Sequence, residues 1–516
     1  MRLIEPSAVR EIDGYIINNT SISEIELIGR AGKAVAEHIM DMLNDIPKRA
    51  SVVFLIGSGN NGADGACAAS LLSGECDITL VDMSFGREKS AGLLFYEERL
   101  RSLGIRSYEY SQSIHPAILS ADIIVEAVFG SGVRYPLPEW FSNIADIMKL
   151  SGARLLAVDT PLGINALTGA VDNSTPHYDR TVCLSYIKCG TVSYPAKEYA
   201  GSVYLDTLGI QDIAEDILKE QRPRYYMTQR LAAELLPRRA ENSSKGSFGR
   251  LLTYLGGDEF LGASLLAHGA ALRCGAGYVT ALGTAERNER LMQVFPEMIY
   301  KTVPAQGSLT DTDISGICEM SKRAAVTLIG CGCGNTEGLS RLVKGLLNTD
   351  GGILVLDADA INSLANCEGR EALKRSQREV VLTPHPLELS RLSGIEVDKI
   401  QTDRMRIAER FAEEYSVTLV LKGAGTVTTD GRATFINSCG SSALAKAGSG
   451  DVLAGALASL LASGGCDTVT LCAIAVYLHA SAGDALADTY SSYGVTPSDL
   501  PVQIAMEISR LEKLKQ

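Results

Sequence analysis

SVVFLIGSGNNGADG, residues 51–65, is the stretch on which the architecture turns. Its first six residues are apolar and rich in β-branched side chains. Such a run fits a strand buried on both faces, as in a parallel sheet. GSGNNGADG then supplies glycines where the chain must turn into a helix. Strand, glycine turn and helix together make a phosphate-binding arrangement. The glycines let backbone close in, and the helix start offers free N–H groups and a positive dipole end.

Gly57, Gly59 and Gly62 spell G-x-G-x-x-G, and Asp82 ends the next apolar run 20 residues later. That is the dinucleotide fingerprint of dehydrogenases, one reading of the loop. A tight turn needing positive φ is the plainer one. Asn60, Asn61 and Asp64 favour a third. Two amides and a carboxylate suit a polar ligand or a hard cation.

Apolar runs recur outward from this stretch, at 77–82, 122–129, 154–159 and 180–186. Helical spacing fills Ser23 to Leu43, 91–103 and 140–150. Alternation of this kind predicts an α/β layered domain. Residues 209–224 are charged and place a boundary there. A second series follows, with runs at 250–257, 278–283, 326–330, 353–357, 380–384 and 417–423, then helices from Gly450 onward. The expected fold is therefore α/β with two three-layer α/β/α domains. They span 1–215 and 225–516, joined by a linker at 216–224.

The chain has 516 residues and a net charge of −13. That balance disfavours nucleic acid and anionic membrane as partners, because both favour a basic surface. No apolar run reaches the roughly 18 residues a bilayer span needs. Twelve cysteines without a C-x-x-C pair read as free thiols of a reducing, cytoplasmic setting. The start, MRLIEPSAVREID, does not read as a signal peptide.

Carboxyl ends of parallel strands line the ligand crevice. EAVFGSGVR (126–134) and AVDTPLGINALTG (157–169) stand at such ends, so Glu126 and Asp159 become candidates to converge with Asn60 and Asn61. Asp159 is the expected proton carrier, a carboxylate tuned toward neutrality by a half-buried crevice. In the second half, KAGSGDVLAG (446–455) opens a helix with Asp451 in its first turn. Free N–H groups there would stabilise charge on a transferring phosphoryl group. Asp451 could accept the attacking hydroxyl's proton. LKGAGTVTTDG (421–431), LTPHPLELSRL (382–392), IGCGCGN (329–335) and LDADAIN (356–362) also sit at strand ends. The small residues of 256–277 allow close packing or ligand approach.

GNNGADG, FGSG and VDTPLGIN resemble the NAD(P)H-hydrate epimerase family over about residues 1–215. The later motifs resemble the ribokinase-like NAD(P)H-hydrate dehydratases over about 225–510. The resemblance implies a Rossmann-like first domain, a ribokinase-like second one, and repair of hydrated NADH or NADPH. It carries Asn60, Asn61, Gly62, Ala63, Asp64, Gly130, Ser131, Gly132, Val133, Arg134 and Asp159 to substrate in the first half. It carries Ala263, Gly334, His385 and Asp451 to substrate in the second. Lys422, Gly423, Ala424, Gly425, Thr426 and Gly450 go to the adenine nucleotide, ADP or ATP with Mg2+. Potassium would be held by Asn61, Glu126 and the position of Leu162. Two departures stand out. Glu126 replaces the family's usual Asp, and Leu162 its usual Ser, leaving at most a backbone carbonyl there. A homo-oligomer is the expected assembly. The rival readings are a small-molecule kinase with an accessory dinucleotide-binding domain, a dehydrogenase, and a non-catalytic N-terminal binding module.

Overall fold

The computed structural model describes every residue except Pro47, Ser131, Arg134, Glu220, Asp258 and Gln516. Contacts divide the chain into Arg2–Arg224 and, with Met1, Tyr225–Gln516. The stretch 216–224 is partly structured: helix Gln211–Leu218 takes 216–218, and strand Arg224–Met227 begins at its end.

The first unit holds a seven-stranded sheet. Its spatial order is Ser107–Glu109, Asp77–Asp82, Ser51–Ile56, Ile123–Ala127, Arg154–Val158, Arg180–Leu184, Ser202–Asp206. Every pairing is parallel. Strand order reverses between Ser51–Ile56 and Ile123–Ala127, which opens a crevice beyond their carboxyl ends. Helices cover both faces. Ile39 and Ala66 share one apolar cluster with Phe54, and Ile144 and Met148 share another with Val53.

Two of the predicted strands end early for a local reason. Asp159 takes φ +69° and Ser185 takes φ +64°, so both leave the ladder. Strands Arg2–Ile4 and Ile187–Lys188 pair with each other, Leu3 opposite Ile187. Neither is long enough to show a period-2 pattern.

The second unit repeats the order 3-2-1-4-5-6-7. Its strands run Ile299–Thr302, Tyr278–Gly283, Arg250–Tyr254, Val326–Ile329, Ile353–Leu356, Val380–Leu382, Thr418–Leu421. These are parallel. An antiparallel pair, Val427–Thr429 and Thr434–Asn437, extends the edge. Helices Leu261–Arg273, Ser449–Ser463 and Thr468–Gly494 cover one face, and Glu337–Leu347 and Arg404–Tyr415 the other. Both units are thus three-layer α/β/α, as expected. Thr468–Gly494 has the length and apolarity of a membrane span, yet 83% of its apolar window is buried here, as in a core helix. The small residues of 256–277 do allow close packing. A methyl group built on Gly455 would lie 2.0 Å from the Ala267 carbonyl oxygen.

Candidate active sites

In the first unit the glycine loop joins Ser51–Ile56 to helix Asn60–Leu71. Gly57 and Gly62 do not have positive φ, so the tight-turn reading gives way to one of contact. A methyl group on Gly57 would lie 1.8 Å from the Val128 carbonyl oxygen, and one on Gly62 1.9 Å from that of Gly57. The helix begins at Gly59 without a side-chain cap, which leaves its first N–H groups to a ligand or water. Asp82 is already engaged. It pairs with Lys89 at 2.6 Å and accepts from the Ser84 amide, so the ribose acceptor of the dehydrogenase fingerprint is spent.

Beyond the strand ends lies a cavity of about 160 Å3, lined among others by Asp13, Asn60, Asn61, Asp64, Gly130, Asp159 and Lys188. Asn60 and Asn61 enter from the helix start. Both polar atoms of the Asn61 side chain are buried without a hydrogen-bond partner, which points to a ligand. Asn60 Nδ2 donates to Glu24 Oε1 at 2.8 Å. Asp159 enters from the end of Arg154–Val158 and accepts from the Leu184 amide at 3.2 Å. It forms a buried ion pair with Lys188, whose ammonium also donates to the Leu184 carbonyl. Burial pushes Asp64 well above the ordinary carboxyl range, with Asp159 adding to it. Burial also raises Asp13 to about 6, against the pull of Lys188.

Asp64 and Asp13 are thus pushed toward neutrality, and Asp159 is the carboxylate held by a lysine. Asp13 and Lys188 have no sequence motif. They arrive on helix Pro6–Asn19 and on the two-residue strand Ile187–Lys188.

Gly62 and Ala63 do not face the cavity. Gly62 packs on Gly57, and Ala63 joins the apolar cluster beneath the helix. Gly130, Gly132 and Val133 line an adjoining cleft. Ser131 and Arg134 lie outside the described residues.

Glu126 is fully buried and accepts from the amides of Val128 at 2.8 Å and Leu162 at 2.9 Å. Burial raises it to about 7 while those two amides pull it down. It is not among the residues that line the 160 Å3 cavity. The Leu162 side chain is buried in apolar company with Phe141 and Tyr178. That side chain offers no ligand atom, so only the backbone carbonyl of Leu162 could meet a cation, while its amide donates to Glu126. Asn61 fits a cation through its unpartnered oxygen, whereas Glu126 accepts from the Tyr178 hydroxyl at 3.4 Å besides its two amides and has less capacity left.

In the second unit the switch point lies between Arg250–Tyr254 and Val326–Ile329. There a methyl group on Gly257 would lie 3.1 Å from the Gly332 carbonyl oxygen, and one on Gly332 2.8 Å from Ala263 Cβ. The Gly334 amide donates to Asp359 at 2.8 Å.

Asp357, at the end of Ile353–Leu356, is buried. It accepts from Thr383 Oγ1 at 2.6 Å and Lys422 Nζ at 2.8 Å. Burial disfavours the charge of Lys422, but Asp357 and Glu388 outweigh it and raise the group. A methyl group on Gly450 would lie 3.5 Å from Lys422 Nζ, so the lysine tip faces the start of helix Ser449–Ser463. Asp451 stands in that first turn, partly buried. Its carboxylate lies within 4.8 Å of ligand atoms of Cys331 and Asp357. Burial, reinforced by Asp357, raises Asp451 to about 6. Cys331, Asp357 and Asp451 would be the side chains able to hold a metal ion here, where Lys422 already supplies one positive charge to Asp357.

His385 is the N-cap of helix Pro386–Ser393. Its Nδ1 accepts from the Glu388 amide at 3.1 Å, and Glu388 accepts from its amide at 2.8 Å. Gly423 takes φ +141° over the buried Arg404, which donates to the carbonyls of Leu421 and Lys422 at 3.1 Å each. Ala424 is exposed at the turn, Gly425 takes φ +58°, and Thr426 Oγ1 donates to the Gly423 carbonyl at 2.9 Å. Arg404 and Asp357 are the supports that motif reading left out.

Residues 24–190 match the family model described as YjeF-related protein N-terminus, and 252–505 that described as NAD(P)H-hydrate dehydratase. A bifunctional NAD(P)H-hydrate repair enzyme Nnr from Thermofilum pendens is 31% identical over 507 residues, covering 96% of this chain and 94% of that one. The protein of the same name from Escherichia coli is 32% identical over 478 residues, covering 92% and 88%. Among solved structures, an ADP/ATP-dependent NAD(P)H-hydrate dehydratase from Bacillus subtilis, co-crystallised with ATP and Mg2+, is 28% identical. It covers 56% of this chain and 98% of its own, with a TM-score of 0.49.

Proposed function

The chain belongs to the bifunctional NAD(P)H-hydrate repair enzyme family, and from that premise we propose that it repairs hydrated NADH and NADPH. The first unit interconverts the R and S epimers, and the second dehydrates the S epimer at the expense of ADP or ATP.

The observation that carries this reading is the trio at the start of helix Ser449–Ser463. Lys422 reaches from Asp357 toward Gly450, and the raised Asp451 stands in the same turn. Bare amides and the lysine ammonium suit a transferring phosphoryl group. Asp451 takes the proton of the ring hydroxyl as that oxygen attacks the terminal phosphorus, whose bond to the bridging oxygen breaks to release AMP from ADP or ADP from ATP. The ring nitrogen then expels phosphate, and loss of the neighbouring ring proton restores the double bond. Hydroxide is a poor leaving group, which is why phosphorylation must come first. Ala263, Gly334 and His385 border the ring's side of the site. Lys422, Gly423, Ala424, Gly425, Thr426 and Gly450 take the nucleotide.

At the first unit Asn60, Asn61, Asp64, Gly130 and Asp159 surround the hydrated ring. Asp159, oriented by Lys188, and the buried carboxyl of Asp64 supply a proton acceptor and a donor. Potassium would be held by Asn61 and Glu126, where it would balance carboxylate charge near the loop. A cytoplasmic setting is part of this reading, because a chain with twelve cysteines and no C-x-x-C pair suits a reducing compartment. The assembly is a homo-oligomer in this reading, which light scattering tests.

The deciding experiment is incubation with mixed epimers of hydrated NADH, Mg2+ and ADP or ATP. Full recovery of reduced-nicotinamide absorbance with release of phosphate is expected. A phosphorylated product that accumulates would overturn the reading in favour of a kinase.

A further inference from the structure

We propose that Arg10 and Arg87 grip the pyrophosphate bridge of the dinucleotide at the first unit. This inference rests on the epimerase reading above and names the part of the substrate that those residues select.

A cleft of about 700 Å3 adjoins the catalytic cavity. The two share Val9, Asp13, Asn60, Asn61 and Gly130 in their walls, so they lie side by side. Their sizes differ in a telling way. The inner chamber, about 160 Å3, carries the carboxyls and Lys188. The outer cleft is several times larger and carries Arg10 and Arg87 with Ser58, Phe129 and Gly132. A small reacting ring joined to a long anionic tail calls for that division.

The arginines come from separate parts of the chain. Arg10 stands on helix Pro6–Asn19, one turn before Asp13. Arg87 follows strand Asp77–Asp82, and its guanidinium lies 5.6 Å from the Phe129 ring centroid. Neither is paired with a described carboxylate, in a chain that carries 61 acidic residues. The uncapped start of helix Asn60–Leu71 lines the same cleft. The Asn61 amide, buried and without a partner, faces the same space. Two unspent guanidiniums and free N–H groups around one cleft match a doubly charged diphosphate.

The test is steady-state epimerisation by the whole chain with Arg10→Ala, Arg87→Ala and the double variant. Hydrated NADH, hydrated NADPH and hydrated nicotinamide riboside are the substrates. The single variants should raise KM for both dinucleotides about tenfold and the double variant more, with kcat held within twofold. The riboside, which has no phosphate, should be turned over unchanged. An unchanged KM for the dinucleotides, or an equal loss with the riboside, overturns the inference. An effect confined to hydrated NADPH also overturns it, because that would place the 2′-phosphate in the cleft. A wild-type chain that leaves the epimer ratio untouched defeats the epimerase reading instead. Calorimetric binding of hydrated NADH to an Asp451→Asn chain, with and without the arginine changes, then still decides whether the arginines hold it.

Discussion

Each half of the molecule sets a lysine against a carboxylate at a strand end, but the two pairs differ in access. Lys188 is 1% exposed beside Asp159 at 10%, whereas Lys422 is 19% exposed beside Asp357 at 2%. In the first unit the lysine lies almost inaccessible at the cavity wall, bound to its partner, where it orients the carboxylate and balances its charge. In the second unit the carboxylate is buried and the lysine tip is the more accessible member. Each unit adds a second carboxyl, fully buried at Asp64 and partly buried at Asp451. The same strand order and the same kind of pair thus recur in both halves, with opposite partners more accessible. In the reading proposed above, one half would use its pair in proton exchange and the other in phosphoryl transfer.

That contrast is broken most severely at Asp451. Asp451→Asn should lower NADH recovery by about 10²–10⁴-fold, the range a general base supplies, while nucleotide binding persists. Stopped assays for NADH and calorimetry for ADP read the two effects, and retained turnover would remove Asp451 from the chemistry.

Lys188→Met probes the sealed pair. It leaves Asp159 buried without its counter-charge, so the first unit should lose about 3–5 kcal/mol of stability. Urea unfolding should show that unit's transition moving earlier. Adding Asp159→Asn should restore much of the stability and none of the epimerisation. A neutral Lys188→Met would mean that water already serves the carboxylate.

The open pair should also set a pH limit. Asp451 is raised from 3.8 to about 6, so its protonated form is favoured in the fold. The base form is lost as pH falls, and dehydratase kcat/KM should drop below pH about 6 with a slope of one proton. The stability sign is the reverse. A raised carboxyl stabilises the fold fully below its unfolded value, and that contribution fades as pH rises through about 6. A rate profile flat to pH 5 would contradict the assignment.

The smallest effect belongs to His385. As an N-cap held reciprocally with Glu388, it should cost about 0.5–2 kcal/mol on replacement by Ala, read as a shift in Tm. The KM for hydrated NADH should rise less than tenfold. A hundredfold fall in kcat would instead make His385 part of the chemistry.

How much of this was legible depended on locality. SVVFLIGSGNNGADG announced its strand, turn and helix, because apolar runs and glycine turns are local signals. KAGSGDVLAG likewise placed Asp451 in a helix's first turn. Asp13 and Lys188 were invisible. One lies on a helix with no motif, the other on a strand of two residues. Glu126 was legible as a carboxylate at a strand end, but not as the acceptor of two amides 2 and 36 positions away. Leu162 announced the loss of a side-chain ligand, yet only packing showed its amide serving Glu126.

The succession of strands and helices along the chain, the glycine loops and the residue types at the strand ends were written in the amino-acid sequence, since each rests on neighbours a few positions apart, whereas the order of the strands in each sheet was not. Which carboxyls are pushed toward neutrality, which lysine is buried and which arginines stay unpaired were settled only by the fold. Desolvation and charge pairing depend on groups brought together from distant parts of the chain, and no local pattern records them.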